Sequence, residues 1–169
     1  MEGTKSLIIY FSRAYENHVE GSTKYIEKGN TEIIAEFIKD ITRADMFKVE
    51  PLEPYSEDYM ECIEEARLRT KTHNAPIKEN ITDISKYEII YIGTPVYWGG
   101  MPEEMITALK EVDFKGKIIR PFVTHEGSGM SNIPKQLKVL CKDGEVIGGI
   151  AIIGSKANMA REEVENWVG

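Results

Sequence analysis

Three stretches of this chain hold glycine, hydroxyl, amide and aromatic residues at spacings that suit ligand chemistry. The first runs from Ser12-Arg13 to Lys28-Gly29-Asn30-Thr31, where a helix is expected to start at about Asn30. The free amides and the dipole at a helix start attract an anion, Gly29 lets the backbone come close, and Ser12, Asn30 and Thr31 can donate further hydrogen bonds. This is the composition of a phosphate cradle, although Asn and Thr are also ordinary helix caps, so the pattern alone leaves both readings open. The second is Gly93-Thr94-Pro95-Val96-Tyr97-Trp98-Gly99-Gly100-Met101-Pro102. Adjacent aromatics with glycines beside them suit a flat π-rich ligand held by stacking and by main-chain hydrogen bonds; Trp98 as a core plug is the competing reading. The third, Thr124-His125-Glu126-Gly127-Ser128-Gly129-Met130-Ser131-Asn132, permits main-chain approach. It is not a dinucleotide fingerprint, because Asn132 stands where the third glycine belongs and the loop follows the fourth predicted strand. His125 could be a proton donor, but a lone His at a strand end is more often a hydrogen-bonded structural residue, and no catalytic role is assigned to it. A nucleoside-triphosphatase loop and a Gly-x-Ser-x-Gly elbow are both absent from the sequence.

These loops need elements to position them. Five apolar runs rich in β-branched and aromatic residues are predicted as strands: Leu7 to Phe11, Met46 to Val49, Ile89 to Gly93, Ile118 to Val123, and an uninterrupted Val146 to Ile153. Between them lie segments of helical period, carried by Ile33, Ile34, Phe37, Ile38 and Ile41, by Met105, Ile106 and Leu109, and by Ile133, Leu137 and Leu140. Alternating elements with nearly continuous apolar strands imply an α/β fold, a three-layer α/β/α sandwich with a parallel sheet covered on both faces. A further helix of about Glu57 to Lys71 has acidic residues early and Arg67, Arg69 and Lys71 late, as its dipole prefers, and is read as a solvated face. The polar stretch Ala14 to Glu27 is long for a strand-to-helix connection, and reads equally as a functional loop or as a surface excursion. In such sheets ligands bind beyond the carboxyl ends of the strands, where all three loops are expected to meet.

Length and composition bound the rest. A chain of 169 residues, 41% hydrophobic and 29% charged, fits one domain over 1–169 that buries roughly 70% of its unfolded surface. Against 28 Asp plus Glu stand 21 Lys plus Arg, and the net charge of -7 disfavours nucleic acid and anionic lipid as partners. Cys62 and Cys141 fall in no disulfide or metal spacing, and no apolar stretch reaches the ~18 residues of a membrane span, so a cytoplasmic protein is expected.

Taken in order, Ile8-Ile9-Tyr10-Phe11-Ser12-Arg13, Gly29-Asn30-Thr31-Glu32, Gly93-Thr94-Pro95-Val96-Tyr97-Trp98-Gly99 and Thr124-His125-Glu126-Gly127-Ser128-Gly129 resemble the flavodoxin family over essentially the whole chain. The resemblance implies a five-stranded sheet in order 2-1-3-4-5 and noncovalently held FMN, with its phosphate in the first loop and its isoalloxazine between the other two. It implies cofactor contacts from the quoted loop residues, namely Ser12, Arg13, Gly29, Asn30 and Thr31, then Thr94 to Gly99, then Thr124 to Gly129. It also implies three ways to tune the flavin: a Gly99–Gly100 peptide that reorients towards N5–H, the charge of Glu126, and stacking by Tyr97 or Trp98. Two features depart from the family. Lys28 stands where a hydroxyl residue is usual, so that Lys28 or Arg13 adds charge to the phosphate or both point to water; and the loop after the fourth strand has no aromatic residue. An electron carrier serving redox partner proteins is the expected function; an NAD(P)H-dependent FMN oxidoreductase acting on quinones or similar acceptors is the alternative. A receiver-type signalling domain is disfavoured, because Ser12 and Thr94 stand where it needs acidic residues.

Overall fold

The computed structural model describes residues 5–169; the first four residues of the expected 1–169 domain lie outside the described residues. The elements follow the order β1 Ser6–Tyr10, β2 Tyr15–Val19, β3 Ser22–Ile26, α1 Asn30–Thr42, β4 Asp45–Lys48, α2 Tyr59–Thr72, β5 Ile89–Pro95 and α3 Glu103–Leu109. They continue with β6 Ile118–His125, α4 Ile133–Leu140, β7 Glu145–Val146, β8 Ile150–Ile153, a 3-10 helix Gly154–Met159 and α5 Arg161–Val168. The main sheet is parallel in the order β4-β1-β5-β6-β7, with β8 also paired to β6. Counting β7 and β8 as one interrupted strand and setting the β2–β3 hairpin aside, this is the 2-1-3-4-5 order of a flavodoxin-like α/β sandwich. No helix among the described residues is long and apolar enough to cross a membrane.

The continuous apolar runs follow from burial on both faces. Along β1, Leu7 and Ile9, with Phe11 just beyond, enter a core shared with Cys62 and Ala66 of α2, Met105 and Leu109 of α3 and Leu137 of α4. Ile8 and Tyr10 enter the opposite core, with Ile34 and Ile38 of α1 and Val164 of α5. Gly93, inside β5, makes room for the fully buried Phe122 of β6, its register partner; a Cβ at Gly93 would lie 2.0 Å from Phe122 Cζ.

Two expectations change. The stretch Ala14 to Glu27 is an antiparallel hairpin, turning at Glu20-Gly21 with φ of 52° and 82°, as a two-residue hairpin loop requires. The fifth strand, expected to run unbroken from Val146 to Ile153, is split. Its register against β6 advances from Ile119↔Val146 to Phe122↔Ile150, one residue more on the edge strand than on β6. Pro121 accounts for the slip. The Ile118 amide bonds to Glu88 on the β5 side and the Ile119 carbonyl accepts from Ile147 on the other, so residue 121 faces the edge strand and, being proline, has no N–H to give it. Gly149 packs into the gap, where a Cβ would sit 2.6 Å from the Pro121 carbonyl.

Helix α2 departs from its expected solvated character on one side. Arg69 donates to Glu104 Oε2 at 2.8 Å, and Tyr55 OH donates to Glu104 Oε1 at 2.7 Å. The Glu104 carboxylate is 1% exposed, and the Arg69 guanidinium lies 3.9 Å from the Tyr55 ring centroid. Burial, with the Glu104 carboxylate beside it, holds the Tyr55 phenol far above its ordinary pKa, so it stays a donor. The cluster fixes α2 to α3. Removing one partner of a buried pair strands the other's charge, so Arg69→Met should lower the unfolding free energy by about 3 kcal/mol. Arg67→Met, which breaks only the exposed pair with Glu64, should cost less than about 1 kcal/mol in urea titrations. Equal losses would show that the Glu104 cluster contributes no more than a surface contact.

Candidate functional site

Because the main strands are parallel, β1, β5 and β6 release their following loops at one rim. There the chain encloses a cavity of about 420 Å³, within the usual range for small-ligand sites. Of the residues singled out in the sequence, Ser12, Arg13, Asn30, Thr31, Pro95, Val96, Tyr97, Trp98, Thr124, His125, Glu126 and Ser128 line it. Gly29, Thr94, Gly99, Gly127 and Gly129 do not line it and act by shaping what does.

One end is rich in hydrogen-bond donors. Asn30 and Thr31 are the first two residues of α1, so their amides have no carbonyl inside the helix to bond. Ser12 Oγ accepts from the Glu32 amide at 3.0 Å, which leaves the hydroxyl hydrogen to donate elsewhere. Gly29 permits this approach, since a Cβ there would meet Ser12 Oγ at 2.1 Å and the Arg13 carbonyl at 2.8 Å. Thr31 and Thr124 hydroxyls, both buried, lie 2.7 Å apart. One hydrogen of the pair makes that bond and the other remains for a further acceptor. Close by, Glu126 Oε1 accepts from the Ser155 amide at 2.9 Å, and a Cβ at Gly154 would collide with both Asn30 Nδ2 and Glu126 Oε1.

His125 turns out to be a loop former. Its Nδ1 accepts from the Gly127 amide at 2.9 Å and the Gly129 amide at 3.1 Å, so the neutral ring carries its proton on Nε2. Gly127 and Gly129, with φ of 130° and 62°, supply the left-handed backbone this wrap needs.

The other end is apolar and aromatic. Tyr97 packs edge-on to Phe11 at 5.6 Å and Tyr55 at 5.7 Å, and burial, then the neighbouring Cys62, pushes its phenol well above its ordinary pKa. Trp98 is no core plug: it is 57% exposed, and its Nε1 donates to the Ile63 carbonyl at 3.0 Å. Thr94 is fully buried and its hydroxyl donates to the Pro95 carbonyl, holding the start of the loop. Tyr97 to Gly100 form a tight turn closed by bonds in both directions, with Trp98 and Gly99 at positive φ. The Gly99 carbonyl accepts from the Asn132 amide at 3.0 Å. The Gly99–Gly100 peptide, expected to be free to reorient, is thus held by the loop after β6.

The two candidate cations are otherwise engaged. Lys28 pairs with Glu36 at 2.7 Å in solvent. Arg13 lines the cavity, but its guanidinium donates to the carbonyls of Glu16, Ser56 and Glu57, tying the hairpin to the approach to α2.

Sequence reasoning missed Asn17, His18, Tyr59, Cys62, Ile63, Ala66 and Gly154 of the lining. The α2 members had a signal: positions 59, 62, 63 and 66 follow the i, i+3, i+4, i+7 period of one helix face, in a segment otherwise dominated by charged residues. Asn17 and His18 arrive with the unexpected hairpin.

The fold recurs in solved structures. A protein from Bacteroides eggerthii DSM 20697, provisionally named a flavoprotein, matches with a TM-score of 0.76 at 22% identity, over 98% of this chain and 96% of its own. A flavoprotein from Lactobacillus acidophilus NCFM, solved in complex with FMN, matches with a TM-score of 0.64 at 18% identity, over 99% of this chain and 100% of its own. Rubredoxin oxygen:oxidoreductase from Desulfovibrio gigas matches with a TM-score of 0.54 at 13% identity, over 96% of this chain but 33% of its own. At these identities the likeness is one of fold. No curated protein sequence matches the chain. The family profile described as Flavodoxin matches residues 22–169, most of the chain, and the chain therefore belongs to the flavodoxin family.

Proposed function

We propose that the rim cavity holds FMN and that the protein carries electrons between redox partners. The observation that carries this reading is the union, in one cavity, of an anion-binding helix start with an aromatic wall. The Lactobacillus flavoprotein of the same fold, solved with FMN, supports the choice of cofactor.

FMN would supply the redox chemistry, and the protein sets its binding, orientation and electrostatic surroundings. The amides of Asn30 and Thr31, the Ser12 hydroxyl and the spare hydrogen of the Thr31–Thr124 pair would hold the phosphate at the positive end of the α1 dipole. Neither Lys28 nor Arg13 is needed, since one pairs with Glu36 and the other grips backbone carbonyls. Tyr97 and Trp98 offer the ring end apolar surface, and the exposed Trp98 marks the side from which electrons would pass. Glu126, whose Oε1 accepts from the Ser155 amide, is an acidic side chain on the cavity wall, where a carboxylate opposes added negative charge beside it. The net charge of -7 suits docking to basic redox proteins.

The alternative, an NAD(P)H-dependent FMN oxidoreductase, is favoured by one observation: the hairpin brings Asn17 and His18 into the cavity beyond what a phosphate site requires.

Purified protein should take up FMN, with Trp98 fluorescence quenched, and should prefer FMN to riboflavin. Ser12→Ala and Thr31→Val should each reduce that preference about tenfold, the scale of a hydrogen bond to a charged group. An equal loss for both flavins would remove these hydroxyls from the phosphate site. Mixed anaerobically with NADPH or NADH, the FMN-loaded carrier should keep its yellow colour for many minutes; bleaching within seconds would select the reductase.

A further inference from the structure

The loop after β6 contains no Phe, Tyr or Trp, so it gives a planar ring no aromatic face. The hairpin makes good this lack from another direction. Glu16 and His18 lie on the same face of β2, because strand side chains alternate, and that face meets the start of α2. Glu16 Oε1 accepts from the Tyr59 amide at 2.9 Å, the Glu16 amide donates to the Glu57 carbonyl at 3.2 Å, and Arg13 grips Ser56 and Glu57. So anchored, the His18 ring stacks on Tyr59, with centroids 6.0 Å apart and planes inclined by 24°. Both residues line the cavity. His18 is exposed and Tyr59 half-buried, and the anchored pair stands at the cavity wall. Aromatic faces fixed in this way are complementary to another flat π-system.

We infer that His18 and Tyr59 are positioning residues that cover one face of a bound planar heterocycle, with the inserted hairpin replacing the aromatic that the loop after β6 lacks. This rests on the FMN reading, and it divides the labour of the cavity. The start of α1 selects the phosphate, while the hairpin and the first turn of α2 select the ring.

The test measures FMN and riboflavin affinity and bound-flavin fluorescence for His18→Ala, Tyr59→Leu and the control Tyr25→Ala, an exposed hairpin residue outside the cavity. His18→Ala and Tyr59→Leu should weaken FMN and riboflavin by the same factor, about threefold to tenfold, and should brighten the bound flavin. The ratio of FMN to riboflavin affinity, which Ser12→Ala changes, should stay at its wild-type value. His18→Phe should restore affinity and quenching, and Tyr25→Ala should change neither. Wild-type affinity and fluorescence in both His18→Ala and Tyr59→Leu would overturn the inference while leaving the FMN reading intact. Wild-type protein that takes up neither flavin would overturn the FMN reading and this inference with it.

Discussion

A common strand direction is the constraint on which the rest of this structure depends. Parallel neighbours cannot be joined by tight turns, so each connection must cross a face of the sheet and return, usually as a helix. The two covered faces explain why Leu7 to Phe11 is apolar without alternation. The shared direction also gathers the carboxyl ends of β1, β5 and β6 at one rim, whatever lies between them in the chain. Thr31 and Thr124 share a hydrogen bond although they are 93 positions apart. The cavity is thus a consequence of topology, and the side chains at the rim decide only what it can hold.

The walls of the cavity and the core are the same material. Tyr97 faces the cavity on one side and packs on Phe11 and Tyr55 on the other, and Tyr55 donates to the buried Glu104 that Arg69 neutralises. The face of α2 that lines the site is therefore held by an ion pair deep behind it. Such a pair contributes little net stability, because desolvation offsets most of its attraction, but it permits few alternative placements of α2. The donor-rich end is made differently, by close backbone approach at Gly29 and Gly154, where any Cβ would collide with Ser12, Asn30 or Glu126.

Much of this was legible in the sequence where burial is two-sided or where a helix start carries its own chemistry. The apolar runs placed the strands, and Gly29-Asn30-Thr31 placed the start of α1 at the rim, because these signals are local. What escaped depended on partners far along the chain. Nothing around Arg69 announces Glu104, 35 positions away, so its neighbourhood in the sequence reads as a solvated face. Ala14 to Glu27 conceals a hairpin because both its faces are polar or exposed, which removes the alternation that betrays a half-buried strand; only Glu20-Gly21 hinted at a turn. Lys28 and Arg13 were legible as charges but not as engaged ones. The break in the fifth strand was invisible within Val146 to Ile153, since its cause, Pro121, sits on the neighbouring strand.

That break bears on the protein's behaviour in a crowded solution. The β7–β8 side is an open margin of the sheet, and an unbroken margin of unpaired N–H and C=O groups would offer a template to any extended polypeptide. Here the slip at Pro121 and Gly149 divides it into pieces of two and four residues whose spacing no regular strand can match. One missing amide hydrogen on an interior strand thereby makes the molecule's own border a poor seed for self-association.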